Sequence, residues 1–102
     1  MHKIVYLPLA EQDLMEALDY IAFTLEAPQA ARELLRALDE AVAQIAVFPY
    51  AHELYRTHRP MKDEIRKVAV KSYVLYYAVM DDRVEIRRFL HGRRDRSRIM
   101  DD

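Results

Sequence analysis

Residues Tyr73 to Met80, YVLYYAVM, carry no charged side chain on either alternate set of positions. Successive strand residues face opposite sides of a sheet, so a run apolar on both sets belongs to a strand in the middle of one. The run is far too short to cross a membrane. A central strand needs neighbours, and both flanks supply them. EIRKVAV (Glu64–Val70) and RVEIRRFL (Arg83–Leu90) are strands of mixed pattern. Lys71-Ser72 and Asp81-Asp82 mark the turns between them. Asp tolerates the positive φ that two-residue hairpin turns require, which suits the second turn. Neither Lys nor Ser favours that geometry at the first.

The first half has a different period. KIVYL (Lys3–Leu7) is a short strand ended by Pro8. From Ala10 onward, Leu14, Ala17, Leu18, Ile21, Ala22 and Leu25 follow the spacing of one helix face. Glu11, Asp13 and Glu16 suit the positive end of that helix's dipole. Pro28 opens a second helix with a stripe of Ala31, Leu34, Leu35, Leu38, Val42 and Ile45, closing at Phe48-Pro49. So short a connection makes the two helices an antiparallel hairpin. Tyr50 to Asp63 has no sustained period and reads as a loop. The order β-α-α-β-β-β predicts an α+β fold, with the helical hairpin packed on one face of a small antiparallel sheet and the other face free. At 102 residues, 1–102 form a single domain.

Composition removes several classes of function. There is no cysteine, so a disulfide framework and a thiolate metal site are both excluded. His2, His52, His58 and His91 show no ligand spacing, and no metal or other cofactor is expected. The N-terminus lacks a signal-peptide core, and no apolar run approaches a membrane span. A cytoplasmic protein without a membrane partner is expected. The net charge of −1 hides an asymmetry: residues 1–54 hold three basic and nine acidic groups, residues 55–102 thirteen and eight. Either one face meets something negative, or the halves neutralise each other across the fold.

The cations Arg66, Lys67, Lys71, Arg87, Arg88, Arg93 and Arg94 lie on or beside the three-strand meander. Alternation forbids all of them from sharing a face, but enough can do so to form a basic patch. Tyr73, Tyr76 and Tyr77 interleave with them, a pairing that suits phosphate contact and base stacking. The competing reading makes these tyrosines core. His91 has the chemistry of a general acid or base. Gly92, the only glycine, is expected to leave the last strand with a positive φ and to set Arg93 and Arg94 at the sheet's end. Asp95 could hold one of those arginines in a bidentate pair. From these residues alone the chain is a nuclease, a nucleic-acid binder or an inhibitor of another protein.

Taken in order, IVYLPLAEQDLMEALDYIA, AARELLRALDEAVAQIAVFP, IRKVAVKSYVLYYAV and VEIRRFLHGRRD resemble the RelE/ParE superfamily of toxins from bacterial toxin–antitoxin modules. The resemblance covers nearly the whole chain. It implies a growth inhibitor neutralised by a cognate antitoxin protein, with operator DNA met only through that antitoxin. It leaves two targets. ParE-like members inhibit DNA gyrase, whereas RelE-like members are endoribonucleases that cut mRNA on the ribosome. With Leu75-Tyr76 laid on the family's third-strand Leu-Tyr, Tyr73 falls where the ribonucleases carry arginine, and Met100 falls near their C-terminal tyrosine. The His-Gly-Arg-Arg-Asp ending is similar to the ParE branch, so gyrase inhibition is the expected activity. Arg66, Lys67, Lys71, Tyr73, Arg93 and Arg94 are then target-binding residues. In the ribonuclease alternative, Lys67, His91 and Arg94 are catalytic. A third alternative is an inactive toxin that keeps only antitoxin binding.

Overall fold

The computed structural model describes residues 1–56 and 61–93. Strand β1 spans Ile4–Tyr6, helix α1 Pro8–Asp19, helix α2 Pro28–Val47, and strands β2, β3 and β4 span Arg66–Val70, Tyr73–Val79 and Val84–His91. Pro8 does more than end β1. It occupies the first turn of α1, where a missing N–H costs nothing. Pro28 does the same for α2.

Between the helices, Tyr20–Thr24 form a π-helical turn. Leu25 N–H donates to the Tyr20 carbonyl at 2.9 Å, and Ala27 N–H reaches back to Ile21 at 3.0 Å. Glu26 then reverses the chain at φ 53°. The wider turn shifts the residues after it off the helix face that preceded it. Ile21 still packs on the core, but Leu25 is 54% exposed. A regular helix would have buried it.

The sheet order is β1-β4-β3-β2. Both hairpin pairings are antiparallel, as expected, but β1 lies parallel to β4, with Ile4 opposite Val84. The helical hairpin explains the mixed sheet. Its second helix returns the chain to the end where β1 began, and there His2 N–H donates to the Ala46 carbonyl at 2.8 Å. Strand β2 therefore sets off in the direction of β1, and two reversals later β4 runs the same way.

The main core lies between helices and sheet. Ala10, Ala17, Leu34, Leu38 and Ile45 pack against Val70, Leu75, Tyr77, Val84, Ile86 and Phe89. The opposite face is not free. Tyr76, Ala78 and Leu90 form a second cluster with Ile65, against which Tyr55, Met61, Val74 and Met80 pack. The reason is the opening run itself, since a strand apolar on both faces must be covered on both. Tyr76 and Tyr77 are fully buried, so they are core. The Tyr77 hydroxyl donates to the Pro49 carbonyl at 2.7 Å and ties the segment after α2 to the sheet.

The turns invert the sequence expectation. The positive φ is at Lys71 (55°), and neither Asp81 nor Asp82 has one. Lys71 and Ser72 form a two-residue hairpin closed by the Val70–Tyr73 pair, so register dictates the backbone there and residue preference gives way. Gly92 does not have a positive φ either. Its N–H donates to the Ser72 carbonyl at 2.9 Å, and an added Cβ would stand 3.4 Å from that oxygen. The glycine allows close approach of the chain end to the β2–β3 turn, not a left-handed turn of its own.

Candidate functional site

A register shift between Tyr76 and Tyr77 inserts Arg87 as an extra residue in β4. Ile86 and Phe89, three positions apart, consequently both face the helices. Arg88 beside it turns to α1, where its Nε and Nη2 donate to Asp13 at 2.7 and 2.9 Å. Phe89 N–H donates to the same carboxylate at 2.9 Å. The side chains of Asp13 and Arg88 are 5% and 14% exposed, so this is a buried, bidentate ion pair. It locks the C-terminal part of β4 onto α1.

Most meander cations are engaged too, so among the described residues the expected basic patch on the sheet face does not form. Arg87 pairs with Glu85 at 2.8 Å and with Asp63 at 3.0 Å, and Arg83 pairs with Asp82 and the buried Glu85. Arg66 donates to the His52 carbonyl at 2.8 Å and stands over the Tyr50 ring. Lys67 pairs with Glu53 at 3.4 Å beside the Tyr55 ring. Lys71 and Arg93 differ. Both are exposed, and among the described residues no acid lies within ion-pair distance of either.

These two cations sit at one end of the sheet, by the tip of the helical hairpin. An apolar groove of about 460 Å³ opens there. The π-helical turn contributes Tyr20, Ile21 and Leu25, α2 contributes Ala30, Glu33 and Leu34, and the sheet contributes Lys71, Ser72, Tyr73 and His91. Tyr73 forms the floor, its ring stacked on Phe89 at 5.0 Å and in edge contact with His91 at 5.3 Å. Burial, and then the neighbouring Tyr20, push the Tyr73 hydroxyl above the usual tyrosine pKa. His91 Nδ1 accepts a hydrogen bond from Arg93 N–H at 3.2 Å. On the far side of Tyr20, a smaller cleft of about 150 Å³ is lined by Glu16 among others.

The structure thus gathers Lys71, Tyr73, His91 and Arg93 at the sheet's tip and leaves Arg66 and Lys67 elsewhere. Lys67 is paired with Tyr76 on the face away from the helices, whereas His91 is paired with Tyr73 on the helix side. Three strand rungs and two strand spacings separate Lys67 from His91, roughly 14 Å between backbones. Arg94 and Asp95, like His58 and Met100, lie outside the described residues. Sequence reasoning missed Tyr20, Leu25, Ala30 and Ser72 as parts of one groove. The helical spacing of Leu25 signals core, and the π-helical turn brings it out. Among the described residues no helix is long and apolar enough to cross a membrane, and no group of three histidines or carboxylates is placed to hold a metal ion.

A helical hairpin on a four-stranded mixed sheet is the fold of chains from toxin–antitoxin systems. The chain is similar to one in the chromosomal ParDE TA system from P. aeruginosa, with a TM-score of 0.71 at 16% identity over 89% of this chain and 96% of that one. It is also similar to chains in two crystal structures of the E. coli DinJ-YafQ complex, at TM-scores of 0.57 and 0.56 and 13% identity. These cover 88% and 89% of this chain, and 91% and 93% of theirs. No curated protein sequence matches. A family profile does: residues 4–96 match "ParE toxin of type II toxin-antitoxin system, parDE". The chain belongs to the ParE toxin family, within the RelE/ParE superfamily.

Proposed function

We propose that this protein arrests bacterial growth by inhibiting DNA gyrase and that a cognate antitoxin neutralises it. The observation that carries the reading is the match of residues 4–96 to the ParE toxin family. The site geometry supports it. Cutting RNA through its 2′-hydroxyl needs a base and charge-stabilising donors converging on one phosphate. Lys67 and His91 stand on opposite faces, and Lys67 is engaged by Glu53. A protein that acts by binding needs no such convergence. An antitoxin partner is supported by the similar fold in the E. coli DinJ-YafQ toxin-antitoxin complex. Gyrase as target places the protein in the cytoplasm.

The test is induction of this chain alone in growing bacteria, following labelled thymidine and methionine together. Thymidine incorporation should fall first, with filamentation. Early collapse of methionine incorporation would favour a ribosome-dependent ribonuclease, and unaffected growth would indicate an inactive toxin.

A further inference from the structure

We infer that the turn after α2, residues 48–51, together with Arg66 beside it, is the surface that grips gyrase, and that it docks on an acidic, partly apolar patch of the gyrase protein rather than on DNA. The identity of the partner rests on the gyrase reading above. The surface itself follows from two independent observations, and it lies at the opposite end of β2 from Lys71 and the groove.

The first is exposed aromatic surface on a fixed backbone. Phe48 and Tyr50 are 66% and 64% exposed, Val47 beside them is 49% exposed, and none of the three belongs to either core cluster. The backbone that carries them is held at each step. Phe48 N–H donates to the Gln44 carbonyl at 2.8 Å, and Ala51 N–H closes the turn on the Phe48 carbonyl at 3.2 Å. Pro49, buried between the two aromatics in sequence, fixes one φ of the turn. Its carbonyl accepts from the buried Tyr77 hydroxyl at 2.7 Å. Side chains on a pre-ordered backbone lose less entropy on binding, and exposed apolar patches mark interaction sites.

The second is a cation without an acid. The Arg66 guanidinium stands 5.2 Å from the centre of the Tyr50 ring, and its Nη1 donates to the His52 carbonyl at 2.8 Å. Among the described residues no acid lies within ion-pair distance of it. The patch thus presents two aromatics and a held arginine, the residue types that dominate the energy of protein interfaces. Its positive charge selects an acidic partner. Nucleic acid needs several cations on successive phosphates. Here Lys67 faces the other side of the sheet and is tied to Glu53, and the whole chain carries a net charge of −1. Lys71 stands roughly 17 Å farther along the strand. A two-fold pairing of this patch with a second copy would bring two uncompensated Arg66 guanidiniums together.

The experiment measures binding of the full chain to purified, DNA-free gyrase by calorimetry, and inhibition of supercoiling by the same preparations. The double variant Phe48→Ala/Tyr50→Ala removes the aromatics, and Arg66→Gln removes the charge while keeping a donor for the His52 carbonyl. An unchanged thermal midpoint checks each fold. The double variant should weaken both binding and inhibition about tenfold or more. Arg66→Gln should weaken them too, by a factor that shrinks at high salt. Wild-type inhibition by both variants, or inhibition without binding to DNA-free gyrase, would overturn the inference and leave the gyrase reading intact. A wild-type chain that does not inhibit gyrase would overturn both. Binding to a DNA duplex that Arg66→Gln abolishes, or a dimer that the double variant dissolves, would give the patch another partner and overturn the inference as well. If one variant fails to fold, the other decides.

Discussion

Asp13 is the residue on which the position of the C-terminal part of β4 depends. Its carboxylate accepts two hydrogen bonds from Arg88 and one from Phe89 N–H, all in a largely buried site. Removing one partner of a buried pair strands the other charge, so Asp13→Ala should cost about 3 kcal/mol in urea unfolding. A cost below about 1 kcal/mol would mean that the pair is solvated. Glycine tests the backbone. Lys71 and Glu26 hold left-handed conformations that disfavour a Cβ, so Lys71→Gly and Glu26→Gly should each raise stability by about 1 kcal/mol. Gly92→Ala should change little, since its φ is ordinary and the nearest obstacle is 3.4 Å away. None of this was legible locally. Asp13 reads as one more acid in a helix's first turns, and its partner lies 75 residues away.

At the scale of elements, the sequence carried most of the fold. The start of α2 at Pro28, the three-strand meander and the helical hairpin all follow from period and punctuation. The misses share a cause: each element's neighbour decided its detail. Strand β1 is too short to declare its direction, and α2 sets it by returning the chain beside His2. The bulge in β4 did leave a trace, in two arginines between the core residues Ile86 and Phe89, but that spacing also fits an ordinary mixed strand. The tyrosines that join elements give a pH test. Burial raises the pKa of Tyr6, Tyr73 and Tyr77 above the ordinary 10.0, assisted at Tyr6 by Asp39 and opposed at Tyr77 by Arg66. Folding therefore favours the neutral phenols. Their contribution is whole below the unfolded value of about 10 and is lost as pH rises through the higher folded values. Stability in urea should decline above about pH 10, in step with phenolate absorbance, and Tyr73→Phe should soften the decline. A midpoint indifferent to alkaline pH would contradict this.

For the whole molecule, part of the charge split between halves is neutralised across the fold. Asp13–Arg88 and Glu53–Lys67 neutralise across the halves. Arg83 and Arg87 are satisfied within the second half by Asp63, Asp82 and Glu85. Among the described residues on the meander and just beyond its last strand, Lys71 and Arg93 are the exposed cations left without an acid partner, at the tip beside an apolar groove. Cation count therefore overstated the working surface, because the sequence gives charges without their partners. The family was legible because its signature is order along the chain, which survives where pairwise contacts cannot be read. The target is the central claim, and the most direct measurement is a supercoiling assay with purified gyrase and relaxed plasmid. At stoichiometric excess, this protein should abolish supercoiling, and the purified antitoxin should restore it. Normal supercoiling, together with cut message on translating ribosomes, would contradict the account.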